Sequence, residues 1–221
     1  GVQTCALPIY GSEFADLLNP THHFKPGDFA RLPLPDLKVT AVQEGVERAV
    51  EIARLDWQTQ ETAPGFTALV PEFSRGRISE WVRDSREIGE AWTTELWKIE
   101  QTLQDQVAAA LGGVDGGTAP VDRRSITLFG NARYEHASSE DYEADARRET
   151  VKSFVSYSIG CMFGRYSLNE TGVILADQGA RFQDYLARVP HPSFPADEDN
   201  VIPMLDGEWF ADDLTDRFRK F

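Results

Sequence analysis

The chain has 221 residues, 41% of them hydrophobic, enough for one globular domain or two small ones. Its 36 acidic residues outnumber 22 basic ones, for a formal charge of -14, so the chain as a whole repels nucleic acid and any DNA contact needs a local basic patch or a basic partner segment. No apolar run is long enough to cross a bilayer, and Cys5 and Cys161, the two cysteines, give no disulfide framework and suit a reducing compartment.

The first nine residues, "GVQTCALPI" (Gly1 to Ile9), read as the translation of a sequencing-library adapter. They have no basic n-region and too short an apolar core for a signal peptide. On this reading Cys5 carries no meaning and the true N-terminus lies upstream. Phe14 to Leu37 holds Pro20, Pro26, Pro33, Pro35 and Gly27, a looped, extended segment in which "DFARLPLPDL" pairs briefly as an edge strand. Thr40 opens a helix, with Thr40 and Gln43 in the spacing of a capping box. Val42, Val46, Ala49, Val50, Ala53 and Trp57 follow at helical spacing, and Pro64 with Gly65 stops the run. A second helix starts near Ile78. Its apolar stripe is Ile88, Trp92, Leu96, Ile99, Leu103, Val107 and Leu111. Unbroken, it is about 50 Å long at about 1.5 Å per residue. Gly89 permits a bend, and "GGVDGG" (Gly112 to Gly117) ends it. The two helices are expected to form an antiparallel hairpin, stripe against stripe.

Ser125 to Phe129 reads as a short strand. Ser138 and Ser139 offer caps for a third helix, with Val151, Phe154, Val155, Ser158 and Met162 on one face. "NETG" (Asn169 to Gly172) is a turn and the following "VILA" a further strand. Asp177 can cap a short helix bearing Phe182, Tyr185 and Leu186; "VPHPSFP" is an irregular linker. Leu214, Phe218 and Phe221 stand at i, i+4 and i+7, so the chain is expected to stop inside an unfinished helix. There is no internal repeat. The fold class expected is mainly α: a long helical hairpin plus a further helix, with short strands and irregular segments.

Chemistry is sparse along the chain. His22, His23, His136 and His191 lack metal-ligand spacing, and Cys161 has no cysteine or histidine near it in sequence, which favours a buried structural thiol. "GGVDGG" follows a helix and lacks the lysine of a phosphate loop. The acidic run from Asp197 to Asp213 fails the spacing of a calcium loop and reads as a solvated face, with Asp212 and Asp213 at a helix N-terminus. "NPT" (Asn19 to Thr21) falls short of the Asn-Pro-Pro-aromatic motif of amino-methyltransferases and reads as a proline turn. No catalytic, cofactor-binding or metal-binding residue is assigned. The residues singled out are Gly160, Cys161, Gly164 and Arg165, inside "SFVSYSIGCMFGRYSL". Gly160 and Gly164, four apart, either let another backbone approach one helix face closely, or Gly164 caps the helix with Arg165 just beyond.

Three blocks in order, "FVSYSIGCMFGRYSL", "GVILADQG" and "DEDNVIPMLDGEWFADDLTDRF", resemble the adenine-specific DNA methyltransferases of bacteriophage-exclusion (BREX) systems, the PglX family. "LLNPTHHFKPGDFARLPL" is similar to that family's segment just after the methyltransferase core. The resemblance implies partial domains of a larger α/β methyltransferase. Residues 10–40 would be the looped end of the core, 41–117 the helical hairpin, and 118–221 a helical connector toward the target-recognition region. It implies S-adenosylmethionine as cofactor of the full-length protein, with none bound by this segment, whose family motifs for cofactor and target base lie upstream. It implies double-stranded DNA and other BREX components as partners, no membrane, and a cytoplasmic location. The competing expectations are a stand-alone acidic helical interaction protein and an acidic DNA mimic.

Overall fold

The computed structural model describes residues 27, 31, 39–71, 76–110, 119–207, 209–210 and 212–221. Their helices are α1 (Val39–Trp57), α2 (Ile78–Ala110), α3 (Ala132–Glu135), α4 (Tyr142–Met162), α5 (Phe182–Arg188) and α6 (Leu214–Lys220), with a 3-10 turn at Arg123–Ser125. No strand occurs among the described residues, and the fold is mainly α. The residues gather into two compact units, each made from two separate pieces of chain. One takes the described residues up to Asp56 with Glu87–Glu143; the other takes Trp57–Arg86 with Ala144–Phe221.

In the first unit α1 and the later part of α2 run antiparallel. Arg48 pairs with Glu95 at 2.6 Å, and three residues earlier a Cβ at Gly45 would lie 3.4 Å from Leu103. Rising numbers on α1 therefore meet falling numbers on α2. Ala49 and Ile52 bury against Leu96 together with Val121, Ile126 and Leu128, which arrive from the segment after α2. That segment is fastened by side chains. Trp97 Nε1 donates to the Val121 carbonyl at 2.8 Å, and Gln101 Oε1 accepts from Val121 N–H at 2.8 Å. Gly89 of α2 meets Gly130: a Cβ on Gly89 would stand 2.9 Å from Gly130 Cα. The bend that Gly89 allows is thus secondary to a backbone contact that only two glycines permit.

The second unit is built on aromatic packing. Phe66, Leu69, Trp81, Val82, Phe154, Tyr157, Cys161 and Tyr166 form its main buried cluster, with Phe194, Phe218 and Phe221 packed against it. Tyr157 and Tyr166 stack at 5.1 Å, and Phe66 meets Tyr166 edge-on at 5.1 Å. Such pairs add roughly 0.5–1.5 kcal/mol each beyond the area they bury. Ile174, Tyr185, Val189 and Ala196 make a smaller cluster under α5. Phe218 and Phe221, read from sequence as helix spacing, do bring α6 and the residue after it onto the aromatic core.

Several local expectations are corrected. Ser125 to Phe129 is not a strand, because side chains take the backbone groups a ladder would use. Asp122 accepts from Arg124 N–H at 2.9 Å, Asn131 donates to the carbonyls of Arg123 and Ile126 at 2.8 Å each, and Asp56 takes Phe129 N–H at 2.7 Å. "VILA" is irregular too: Ile174 and Leu175 donate to the carbonyls of Arg165 and Gly164, the turn after α4. Asp177 does not cap α5. The N–H of Arg181 is taken at 2.8 Å by Asp184, from within the helix's first turn. On α4 the buried face runs through Phe154, Tyr157, Ser158, Cys161 and Met162, and Val151 is 41% exposed. Packing of Tyr157 into the aromatic cluster sets that rotation. α1 begins at Val39, so Thr40 lies within its first turn, and the Gln43 amide donates to Glu47 at 2.7 Å. Gly1 to Ile9, Asn19 to Thr21, His22, His23 and Gly112 to Gly117 lie outside the described residues, as does the "DFARLPLPDL" stretch apart from Arg31.

Candidate functional site

The end of α4 carries all four residues singled out in the sequence. Gly164 has φ +70°, a conformation that costs L side chains energy. Its N–H donates to the Cys161 carbonyl at 3.1 Å, and Arg165 N–H to the Gly160 carbonyl at 2.8 Å. This pair of bonds, with a left-handed glycine between them, is the Schellman end of a helix. Gly160 is also a point of close approach, though to a ring and not to another helix. A Cβ there would stand 2.4 Å from Tyr166 Cδ2. The cap turns the chain back so that Tyr166 lies on the helix face it has just left. Arg165 is exposed, with its guanidinium carbon 5.6 Å from the Tyr166 ring centroid.

Around this cap the polar groups are held in their neutral forms or fastened. Cys161 is 1% exposed, and burial pushes its thiol up to about 12. At neutral pH it keeps its proton, so it has no thiolate with which to attack or bind a metal. Tyr166 is pushed up to about 12, first by burial and then by the Glu61 carboxylate, to which its hydroxyl donates at 3.2 Å. Ser156 donates to the same Glu61 oxygen at 3.2 Å. Tyr157 donates to the Ser167 carbonyl at 3.1 Å. A cavity of about 100 Å³ lies beside Tyr157, lined also by Leu69, Ser167, Asn169 and Thr171. That is room for a few waters and too little for a nucleoside.

Three further groups escaped the sequence reading. Asp56 is 3% exposed, and its two oxygens accept from Phe129 and Gly130 N–H at 2.7 and 2.8 Å. Burial raises its carboxyl to about 6 despite those two bonds. Glu100 is also 3% exposed; its Oε1 has no hydrogen-bond partner, and burial raises it to about 7. The spacing held a signal for both. Asp56 is in phase with Ala49 and Ile52, and Glu100 with Leu96 and Leu103, each a carboxylate on a buried stripe. The third group is Asp197, expected on a solvated face. It is buried and paired with Arg217 at 3.0 Å, and it accepts from the N–H of Asp199 and Val201. The cation sits 20 residues away, which no local pattern announces. Asp213 meets its expectation: it caps α6 by accepting from Thr215 N–H at 2.8 Å, and Asp212 beside it is exposed.

His136 follows α3 and His191 is exposed in the linker after α5. Among the described residues no group of three or more His, Cys, Asp or Glu is placed to hold a metal ion, and no helix is long and apolar enough to cross a membrane. Two of the three basic residues on α4 are paired along the helix, Arg148 with Asp145 and Lys152 with Glu149. The arrangement therefore fixes geometry: carboxylates tie turns to helices, aromatic rings lock the end of α4, and the thiol is inert.

No family model matches the chain. Among curated proteins it is similar to the adenine-specific methyltransferase BrxX of Escherichia coli O9:H4 (strain HS), 29% identical over 224 residues, covering 100% of this chain and 18% of that protein. It is also similar to the adenine-specific methyltransferase PglX of Lacticaseibacillus casei (strain Zhang), 29% identical over 216 residues, covering 95% of this chain and 16% of that protein. The resemblance read from the sequence blocks thus extends over the whole chain, which spans less than a fifth of the length of these relatives.

Proposed function

We propose that this chain is a segment of an adenine-specific DNA methyltransferase of a phage-exclusion system, and that it serves there as a scaffold between the catalytic core and the part that reads the DNA target. The observation that carries the reading is the match to BrxX along the full chain, with PglX matching nearly as much of it. In the whole enzyme S-adenosylmethionine would supply the methyl group, and the target adenine would have to leave the base stack, since its amine is out of reach in a duplex. What supports the scaffold reading is the kind of work the described residues do. They fix turns, cap helices and bury rings, and the acidic balance of -14 suits a part that does not grip phosphates.

Two measurements test this. Modification-sensitive sequencing of a host carrying the full-length gene with its companion genes should show methylated adenine at one short asymmetric motif. Unmodified adenines, or modified cytosines instead, would overturn the enzyme class. Calorimetry on this chain alone should show no binding of S-adenosylmethionine; micromolar binding would overturn the scaffold role.

A further inference from the structure

Before α6 the chain has a fastened backbone from Asp197 to Leu205, and along that stretch and at Trp209 and Phe210 it carries apolar side chains in water. Its frame is fixed by five hydrogen bonds. Asp197 N–H donates to the Met162 carbonyl at 2.7 Å, and the Asp197 carboxylate takes Val201 N–H and the Arg217 guanidinium. Leu214 N–H donates to the Pro203 carbonyl at 2.9 Å, and Asp213 accepts from Leu205 N–H at 3.4 Å. Yet Met204 is 78% exposed, Trp209 77%, Val201 64%, Phe210 52% and Leu205 51%. Five large apolar groups this exposed within ten residues of chain mark an interaction surface, and the fastened backbone from Asp197 to Leu205 lowers the ordering cost of docking there. Acidic residues alternate with them along the chain: Glu198, Asp199, Asp206 and Asp212 are all exposed.

We propose that this loop docks against another part of the full-length polypeptide, a surface with an apolar socket ringed by lysine and arginine. Two observations choose that occupant. The relatives are more than five times the matched length, so most of such a protein lies outside these residues. An enzyme that holds DNA also needs a basic region for the phosphates, and an apolar loop interspersed with acidic residues is complementary to the flank of one. The choice of occupant rests on the proposed methyltransferase reading.

Hydroxyl-radical footprinting of the full-length protein, read by mass spectrometry, tests it. Met204 and Trp209 should oxidise several-fold more slowly in the native protein than after denaturation. The double variant Glu198→Lys, Asp206→Lys, with reversed charge, should lose most of that protection while Tyr166 and Phe154 stay protected. Oxidation of native Met204 and Trp209 at the denatured rate overturns the proposal. So does protection that vanishes on dilution as the mass halves, which assigns the loop to a second copy, and so does protection unaffected by charge reversal. The footprint does not depend on methylation, so failure of the enzyme reading shows separately, in the adenine sequencing.

Discussion

Gly160 has no room for a methyl group. The ring it would strike belongs to Tyr166, itself 1% exposed and packed on Phe66 and Tyr157, so it cannot swing aside. Gly160→Ala should therefore destabilise by about 1–3 kcal/mol through overpacking, even though alanine favours a helix over glycine by about 1 kcal/mol. Urea unfolding followed by circular dichroism measures it, and a variant as stable as the parent sinks the contact. Glu100 gives a pH test. Its folded-state pKa is raised from 4.5 to about 7, so the native state holds a proton that the unfolded chain has released. Its contribution is fully present below pH 4.5 and is lost as pH rises toward 7. Glu100→Gln should be close to neutral at pH 4.5 and more stable than the parent at pH 8, as urea midpoints at the two pH values would report. Equal differences at both would show that the carboxyl titrates normally. The glycine pair stood out in the sequence, since two glycines in an apolar helix need a reason; the ring that fills the space six residues on did not, because a helical projection ends where the cap begins.

The long helices were legible because packing rewards a 3.6-residue period over many turns: α2 was expected from near Ile78 to Leu111 and runs Ile78–Ala110. The short strands were misread because four or five residues of strand-like character bind nothing by themselves. What decides their state is where the N–H groups go, and here Asp56, Asp122 and Asn131 take that role from distant or neighbouring turns. Gly89 shows the same limit on the helix that was read best. It was legible as a weak point of α2 and is a contact, with Gly130 Cα 2.9 Å from the place a Cβ would take. Backbone cannot yield as a flexible side-chain end can. Gly89→Ala should therefore cost about 1–3 kcal/mol despite its gain in helix propensity. A thermal melt at or above that of the parent would mean the two backbones are not in contact.

At the scale of the molecule the chain's order and its packing part company. Each compact unit takes one piece from either side of a single point in α2, between Arg86 and Glu87. Long-range pairing of this kind leaves no periodic trace. It has a direct consequence for dissection. Residues 1–86 and 87–221 expressed apart should each be largely unfolded, since each contains only one piece of each unit. Mixed, they should recover amide protection from hydrogen exchange. A cooperative unfolding transition from either piece alone would contradict the division.

Cys161 gives the chain a clock. Its sulfur is sealed under the end of α4 and protonated at neutral pH, so an alkylating reagent meets it only when that end opens. Followed by site-resolved mass spectrometry, alkylation of Cys161 should be slow in buffer, should accelerate with urea in step with the loss of helix, and should run faster in Gly160→Ala than in the parent. Labelling complete within the dead time in buffer would show that the seal is absent. The residue that offers no reactivity for chemistry thereby becomes the most informative reporter of how often the fold lets go.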